Sequence, residues 1–220
     1  MPLLSTRGGA SVRGFGMFGA LPEAPPTVIG QVYGGGYYAG QISTTANGVA
    51  THYLVVAPKS VGQGNFQWKT SNTSTAGTGS VIAGPTNSSN MNNALHPAAQ
   101  FCEALSINGY GDWYMPAKNE LEVLYYNLKP TLILNDINSG SNLNAVPSRA
   151  SNYTTGTPAQ TAAALFQSGG SEAFDAVVYW SSTEASSTTA WSQDFDNGRQ
   201  RTDAVKLATL AVRAVRRVPI

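Results

Sequence analysis

Gly111-Asp112-Trp113-Tyr114-Met115-Pro116-Ala117-Lys118-Asn119-Glu120-Leu121 is the stretch on which the reading of this chain turns. Its counterpart further on is Tyr179-Trp180-Ser181-Ser182-Thr183-Glu184, followed by Ala190-Trp191. The glycine-rich turn Asn108-Gly109-Tyr110-Gly111 throws Trp113 toward a core, and Asp112 reads as a turn or capping carboxylate. Leu121, Leu124, Tyr125 and Leu128 then fall at i, i+3, i+4 and i+7, one apolar stripe of a helix. Upstream, Leu95, Ala98, Cys102 and Leu105 predict another helix with Cys102 on its buried stripe.

Around these helices the sequence predicts strands. Thr27-Val28-Ile29 opens β-like sequence, and Gly34 to Gly36 suggests a bulge or a close backbone approach. Ala46-Asn47-Gly48 signals a hairpin through a type I′ turn, with His52 to Val56 as the returning strand. Ser60 to Asn93 reads as a long polar excursion anchored by Phe66, Trp68, Val81 and Ile82. A third helix is predicted from Thr157-Pro158-Ala159-Gln160, ended by Gly169-Gly170. Short strands follow over Val177 to Ser181, Ala190 to Asp196 and Lys206 to Val218, with Asp196-Asn197-Gly198-Arg199 as a tight turn.

The two aromatic segments resemble the C-type-lectin-like domain of the Lcl type. Gln31 to Tyr38 with Tyr53 to Pro58 is similar to that family's opening hairpin, Ala98 to Leu105 to its first helix, and Ala211 to Arg216 to its closing strand. The resemblance runs from about Val28 to Val218 in the family's order. It implies an α+β, C-type-lectin-like fold, two main helices packed on short antiparallel sheets, that displays a variable ligand-binding surface on a fixed scaffold. Trp113 and Trp180 are then core. The family's threonine before the second helix is replaced by Ala117, which leaves Glu120 without its capping partner at a cost of about 1 kcal/mol.

Composition narrows the function. The chain has 220 residues, a net charge of +1 and 11% charged residues. A chain so nearly neutral projects no field toward nucleic acid or an anionic membrane. Neither is expected as a partner, and no segment approaches the roughly 20 apolar residues of a membrane span. Cys102 is the single cysteine, so no intrachain disulfide forms. The N-terminus lacks the basic and apolar regions of a secretory signal, so synthesis and folding in a host cytoplasm are expected.

Residues 1–27 read as an attachment arm and 28–220 as the lectin-like domain. The arm mixes glycine with Arg7, Arg13, Phe15 and Phe18, and Pro25-Pro26 stiffens its end. Such segments resemble the N-terminal arms of phage structural proteins that dock on a neighbouring subunit. A disordered leader is the plainer alternative.

Catalysis has little to build on, and the chain is not expected to be an enzyme. His52 and His96 lack partners at zinc spacing. No nucleophile elbow or phosphate loop occurs, and the related formylglycine-generating enzymes need two cysteines. Asp194 and Asp196 offer hard oxygens for calcium, yet the sugar-binding motifs of calcium-dependent lectins are absent. No metal and no cofactor are expected. Recognition is placed on Trp191, Asp194, Asp196, Asn197, Arg199 and Arg201 around the penultimate hairpin, with Tyr153 from the preceding loop. For Trp191 a core role is the alternative.

The expected protein is a bacteriophage virion component, a tail fibre, tail tip or head decoration, that binds a host-surface glycan or protein. It would join other virion proteins through its arm, as a homo-oligomer with a trimer among the options, and reside in the virion. A purely structural decoration protein cementing neighbouring subunits is the alternative, and a bacterial surface adhesin the next.

Overall fold

The computed structural model describes residues 23–220. Numbered along the chain, its first sheet orders β1 (Val32–Tyr33), β2 (Gly36–Ile42), β3 (His52–Val56) and β10 (Val215–Pro219), with β5 (Ala145–Val146) against the end of β2. The second sheet orders β4 (Gln63–Gln67), β9 (Thr209–Arg213), β6 (Val178–Glu184), β7 (Thr189–Asp194) and β8 (Gln200–Val205), with β6 and β9 as its parallel pair. The helices are α1 (Lys59–Gly62), α2 (Gly84–Asn90), α3 (Pro97–Glu103) and α4 (Lys118–Leu128).

The continuous apolar run of β3 is explained by burial on both faces, as strand alternation requires. Leu54 and Val56 point into a core shared with Leu121, Leu124, Tyr125 and Leu128 of α4. Val55 and Ala57 point into a second core built on Trp68, Trp113, Trp180 and Cys102. A Cβ on Gly36 would lie 2.2 Å from the Val56 carbonyl oxygen, so the close approach anticipated for this glycine run is real. Ala214 alone separates β9 from β10. It carries the chain from one sheet to the other, donating to the Gly62 carbonyl at 2.9 Å and accepting from the Ala57 amide at 3.0 Å.

The expected C-type-lectin-like architecture of two main helices is overturned. Among the described residues the chain is mostly β, with ten strands in two five-stranded sheets; α3 has 7 residues, and α4, with 11, is the longest helix. The quoted motifs mark tight turns and buried aromatics, which fix local packing but not the helix content around them. The third helix is absent; only a 3-10 turn, Ala164–Phe166, forms there. Tertiary bonds compete with helix in that segment: the Thr161 and Ser168 amides donate to the Lys129 and Pro130 carbonyls at 3.0 and 2.9 Å. Leu95 is exposed rather than on the buried stripe of α3, whereas Cys102 is fully buried.

Three further expectations change in detail. The hairpin between β2 and β3 forms, but its positive φ values fall at Ala46 (54°) and Gly48 (79°), while the Asn-Gly turn with both residues left-handed is Asn108-Gly109 (52° and 84°). The polar excursion after Ser60 holds most of α1, β4 and α2. Its segment after Thr70 wraps two buried ammonium groups. Lys69 Nζ donates to the carbonyls of Thr73 and Ser74 at 3.1 and 2.8 Å, and Lys206 Nζ donates to those of Thr73 and Ser187 at 3.0 Å while pairing with Glu184. Glu120, expected to be unpartnered, is buried and accepts from the Ala117 amide at 2.8 Å, the Tyr114 hydroxyl at 2.5 Å and Arg217 Nε at 2.8 Å.

The final segment expected as one strand, Lys206 to Val218, divides into β9 and β10, and β8 precedes it. Arg7, Arg13, Phe15 and Phe18 of the expected arm lie outside the described residues. The end of that arm is fastened down: the Glu23 carboxylate accepts the Gly34 amide at 2.8 Å, and Pro26 is buried.

Candidate ligand-binding surface

Most of the described cations are drawn into buried or half-buried ion pairs and hydrogen bonds, while the Lys59–Asp175 and Arg201–Asp203 pairs lie nearer the surface. Seven ion pairs engage Lys59, Arg149, Arg201, Lys206, Arg213, Arg216 and Arg217. Arg213 is fully buried, reaching the Glu172 carboxylate at 2.6 Å and the Ala57 carbonyl at 2.9 Å. Arg216 holds Asp112 through two bonds of 2.6 and 2.9 Å, which gives that carboxylate a role tying turn to strand. Lys69 and Lys129 are buried against carbonyl and amide oxygens.

Lys118 and Arg199 remain; among the described residues their side chains make no hydrogen bond or ion pair. Lys118 stands at the first position of α4, and its ammonium lies 4.7 Å from the centre of the half-buried Trp191 ring on β7. Partial burial lowers its pKa, and nearby Glu122 opposes that shift. A cation at a helix N-terminus opposes the helix dipole, so this lysine is held by tertiary structure rather than by local preference.

Beside this pair lies a cleft of about 450 Å³ with a floor of amides. Asn119 Nδ2 donates to Asn144 Oδ1 at 2.8 Å, Asn142 Nδ2 donates to the Asn119 carbonyl at 2.8 Å, and Asn142 Oδ1 accepts the Asn144 amide at 3.0 Å. Ser141, Leu143 and Ala46 form its rim, and Leu143 is exposed. The floor is fixed because every asparagine in it is cross-bonded. A second cleft of about 330 Å³ shares Ala150 with the first and is lined by Tyr126, Arg149 and Ser151 to Thr154. Arg149 stacks 3.8 Å over the Tyr126 ring while paired with buried Glu122.

The residues expected to bind do not converge. Trp191 meets Lys118, which lines the larger cleft, but Arg201 is paired in register with Ser192, so it emerges from the opposite face of β7 and β8 and bonds Asp203 at 3.0 Å. The Asp196 to Arg199 turn is less free than expected. The Asp196 carbonyl accepts the Thr131 hydroxyl at 2.9 Å, the Asn197 carbonyl accepts the Asp136 amide at 2.9 Å, and Gly198 is buried. Asp194 accepts the Asp196 amide at 3.0 Å, and Arg199 is exposed beside Asn197.

Tyr153 is largely buried, although it lines the second cleft. It is 5% exposed, and its hydroxyl donates to Glu122 at 2.8 Å. Among the described residues no three His, Cys, Asp or Glu side chains gather to hold a metal ion. His96 is buried between Thr75 and Asn93, at 2.9 Å from each. Sequence reasoning missed Lys118, the three asparagines and Arg149. The one local signal was a lysine placed where the helix dipole disfavours it.

A family model described as the Lcl C-terminal domain matches residues 62–216 of the chain. No curated protein matches. Among solved structures, a fimbrial protein from Bacteroides ovatus ATCC 8483 aligns with 15% identity and a TM-score of 0.42, covering 78% of this chain and 36% of that one. The chain therefore spans about a third of that fimbrial protein's length.

Proposed function

The chain belongs to the Lcl C-terminal domain family, and from that premise we propose that it is a non-enzymatic recognition domain whose ligand is a cell-surface glycan. One observation carries the reading: Lys118, left without an anionic partner, covers a half-buried Trp191 beside a cleft with a rigid floor of asparagines. The Lys118 ammonium and the fixed amides satisfy sugar hydroxyls without reorganising, and the part of the Trp191 ring that stays exposed adds apolar contact.

The finer reading sets this domain in a bacteriophage virion, as a tail-fibre, tail-tip or decoration protein that binds the host surface. Its support is the glycine-aromatic composition of residues 1–27, read as an arm that joins other virion proteins and a homo-oligomer. A head-decoration protein that cements neighbouring subunits is favoured by a different observation. Leu132, Ile133, Leu134 and Ile137 are all exposed within six residues, and an apolar patch of that kind commonly marks a protein contact.

Glycan-array binding of the full chain tests the choice. Lys118→Met and Trp191→Ala should each lose at least about tenfold in affinity, as for a central interface residue, while far-ultraviolet circular dichroism and melting stay near those of the parent. Array binding that survives both substitutions sinks the site. If no glycan binds but a virion protein does, the cementing reading replaces this one.

A further inference from the structure

We propose that Asn47 is a site of spontaneous deamidation, selected by the fold from the three Asn-Gly dipeptides of the chain, Asn47-Gly48, Asn108-Gly109 and Asn197-Gly198. The reaction needs only water. The Gly48 backbone nitrogen, having lost its proton to base, attacks Asn47 Cγ; the Cγ–Nδ2 bond breaks and ammonia leaves. Water then opens the five-membered imide at either carbonyl, giving aspartate or isoaspartate. The amide becomes a carboxylate, and in the isoaspartate product the main chain runs through the side-chain carbon.

Sequence alone ranks the three sites equally, since glycine follows each asparagine. Their surroundings differ. Asn47 and Gly48 are both exposed at the tip of the β2–β3 hairpin, and a Cβ at Gly48 would meet no atom within 4 Å; Asn108 and Gly109 share that exposure and open space, so hydrogen bonding is what separates those two sites. Asn47 Oδ1 accepts the Ser43 hydroxyl at 3.0 Å and the Val49 amide at 2.9 Å. Those two donors stabilise negative charge as it develops on this oxygen during attack, in the manner of an oxyanion site; Asn197 Oδ1 accepts only one, the Arg199 amide at 3.0 Å.

The other two dipeptides are held. Asn108 and Gly109 form a two-residue turn closed by bonds of 2.9 and 3.0 Å between Ile107 and Tyr110, and Asn108 Nδ2 donates to the Gly35 carbonyl at 3.1 Å. Gly198 N–H, the nucleophile of the third site, donates to the Asp194 carbonyl at 2.7 Å, and its residue is buried against Tyr125 and Tyr153. Attack at Asn197 first breaks the bond of its nucleophile, and attack at Asn108 must draw the side chain away from Gly35 within a closed turn.

The product bears on the surface described above, because Ala46, the neighbour of Asn47, lines the rim of the cleft that contains Lys118. A carboxylate formed there places a negative charge beside the cleft's unpaired ammonium. The hairpin tip then acts as a clock that changes the charge of the recognition face with age.

Peptide mapping by mass spectrometry tests this on the folded full chain, incubated at mildly alkaline pH and sampled over time. Conversion at Asn47 should exceed that at Asn108 and Asn197 by about tenfold or more, the factor carried by one or two hydrogen bonds of ordinary net strength. In urea the three rates should draw together. Asn47→Gln should abolish modification at the tip, since its longer side chain closes the ring poorly. Faster conversion at Asn108 or Asn197 in the folded chain, or equal rates at all three, overturns the proposal. The measurement requires no ligand, so its outcome is independent of the glycan reading.

Discussion

Gly48 and Gly198 share a φ of 79° and the same preceding residue, yet one sits in open space and the other in the core. Replacing each with alanine separates the cost of backbone strain from that of packing. At Gly48 an added Cβ meets nothing, so Gly48→Ala should cost only the left-handed penalty, about 1 kcal/mol. At Gly198 the same Cβ would lie 2.3 and 2.6 Å from two atoms of the Tyr125 ring and 2.9 Å from Tyr153. Neither ring yields easily, because Tyr125 donates to Asn135 at 2.7 Å and Tyr153 to Glu122 at 2.8 Å. Overpacking adds roughly 1–3 kcal/mol. Gly198→Ala should therefore lose about 2–4 kcal/mol, and the difference between the two variants reads the clash alone. Urea unfolding at fixed m-value measures both. In melting temperature the deep substitution should drop by about 2–4 °C for each kcal/mol, as for other chains of this size. Two variants equal within about 0.5 kcal/mol would refute the claim that this turn is bolted to the core.

Three further outcomes follow from buried polar groups. Burial, with Lys69 and Lys206 nearby, lowers the His96 pKa to about 4 from an ordinary value of 6.5. The unfolded chain therefore binds the extra proton first, and stability should fall as pH drops from about 6.5 to about 4, then level off; His96→Gln should flatten that part of the profile in urea titrations. Arg217→Met leaves Glu120 buried without its cation and should cost about 3–5 kcal/mol, part of which Glu120→Gln in the same chain restores. Chelator and reductant should each leave the melting temperature unchanged, since Cys102 is buried with no partner and Asp194 is turned onto its own backbone; a large drop with chelator would expose a metal site.

What the sequence disclosed, and what it hid, divides by range. The stripe of α4 was legible because Leu121, Leu124, Tyr125 and Leu128 repeat at helical period, Trp113 because a large aromatic after a glycine turn has few places to go, and Trp180 through the family resemblance. Strands β6 and β7 were read within a few residues. The apparent third helix failed where Thr161 and Ser168 bond the end of α4 instead of their own neighbours, a preference no local pattern carries. The polar stretch after Thr70 looked unanchored because one of the ammonium groups holding it comes from residue 206. At the binding surface, Trp191 was visible as an aromatic near a turn. Its partner Lys118 was not, because their meeting depends on how α4 crosses β7. The burial of Tyr153 was hidden for the same reason: a tyrosine in a polar loop reads as surface until Glu122 is found beneath it.

The passage of the chain through Ala214 into β10 has a consequence for synthesis. Val56 of β3 pairs with Val215, so the strand stands as an open edge until a partner 159 residues downstream has been made. At roughly 5–20 residues per second that interval lasts about 8 to 30 seconds. Throughout it the backbone groups of β3 that face β10, with the aliphatic side chains of Leu54, Val55 and Val56, are open to any other nascent strand. Late completion of this kind predicts that expression yield, more than equilibrium stability, will respond to translation rate and to chaperones that cover exposed strands. Growth at low temperature should favour recovery of the folded chain.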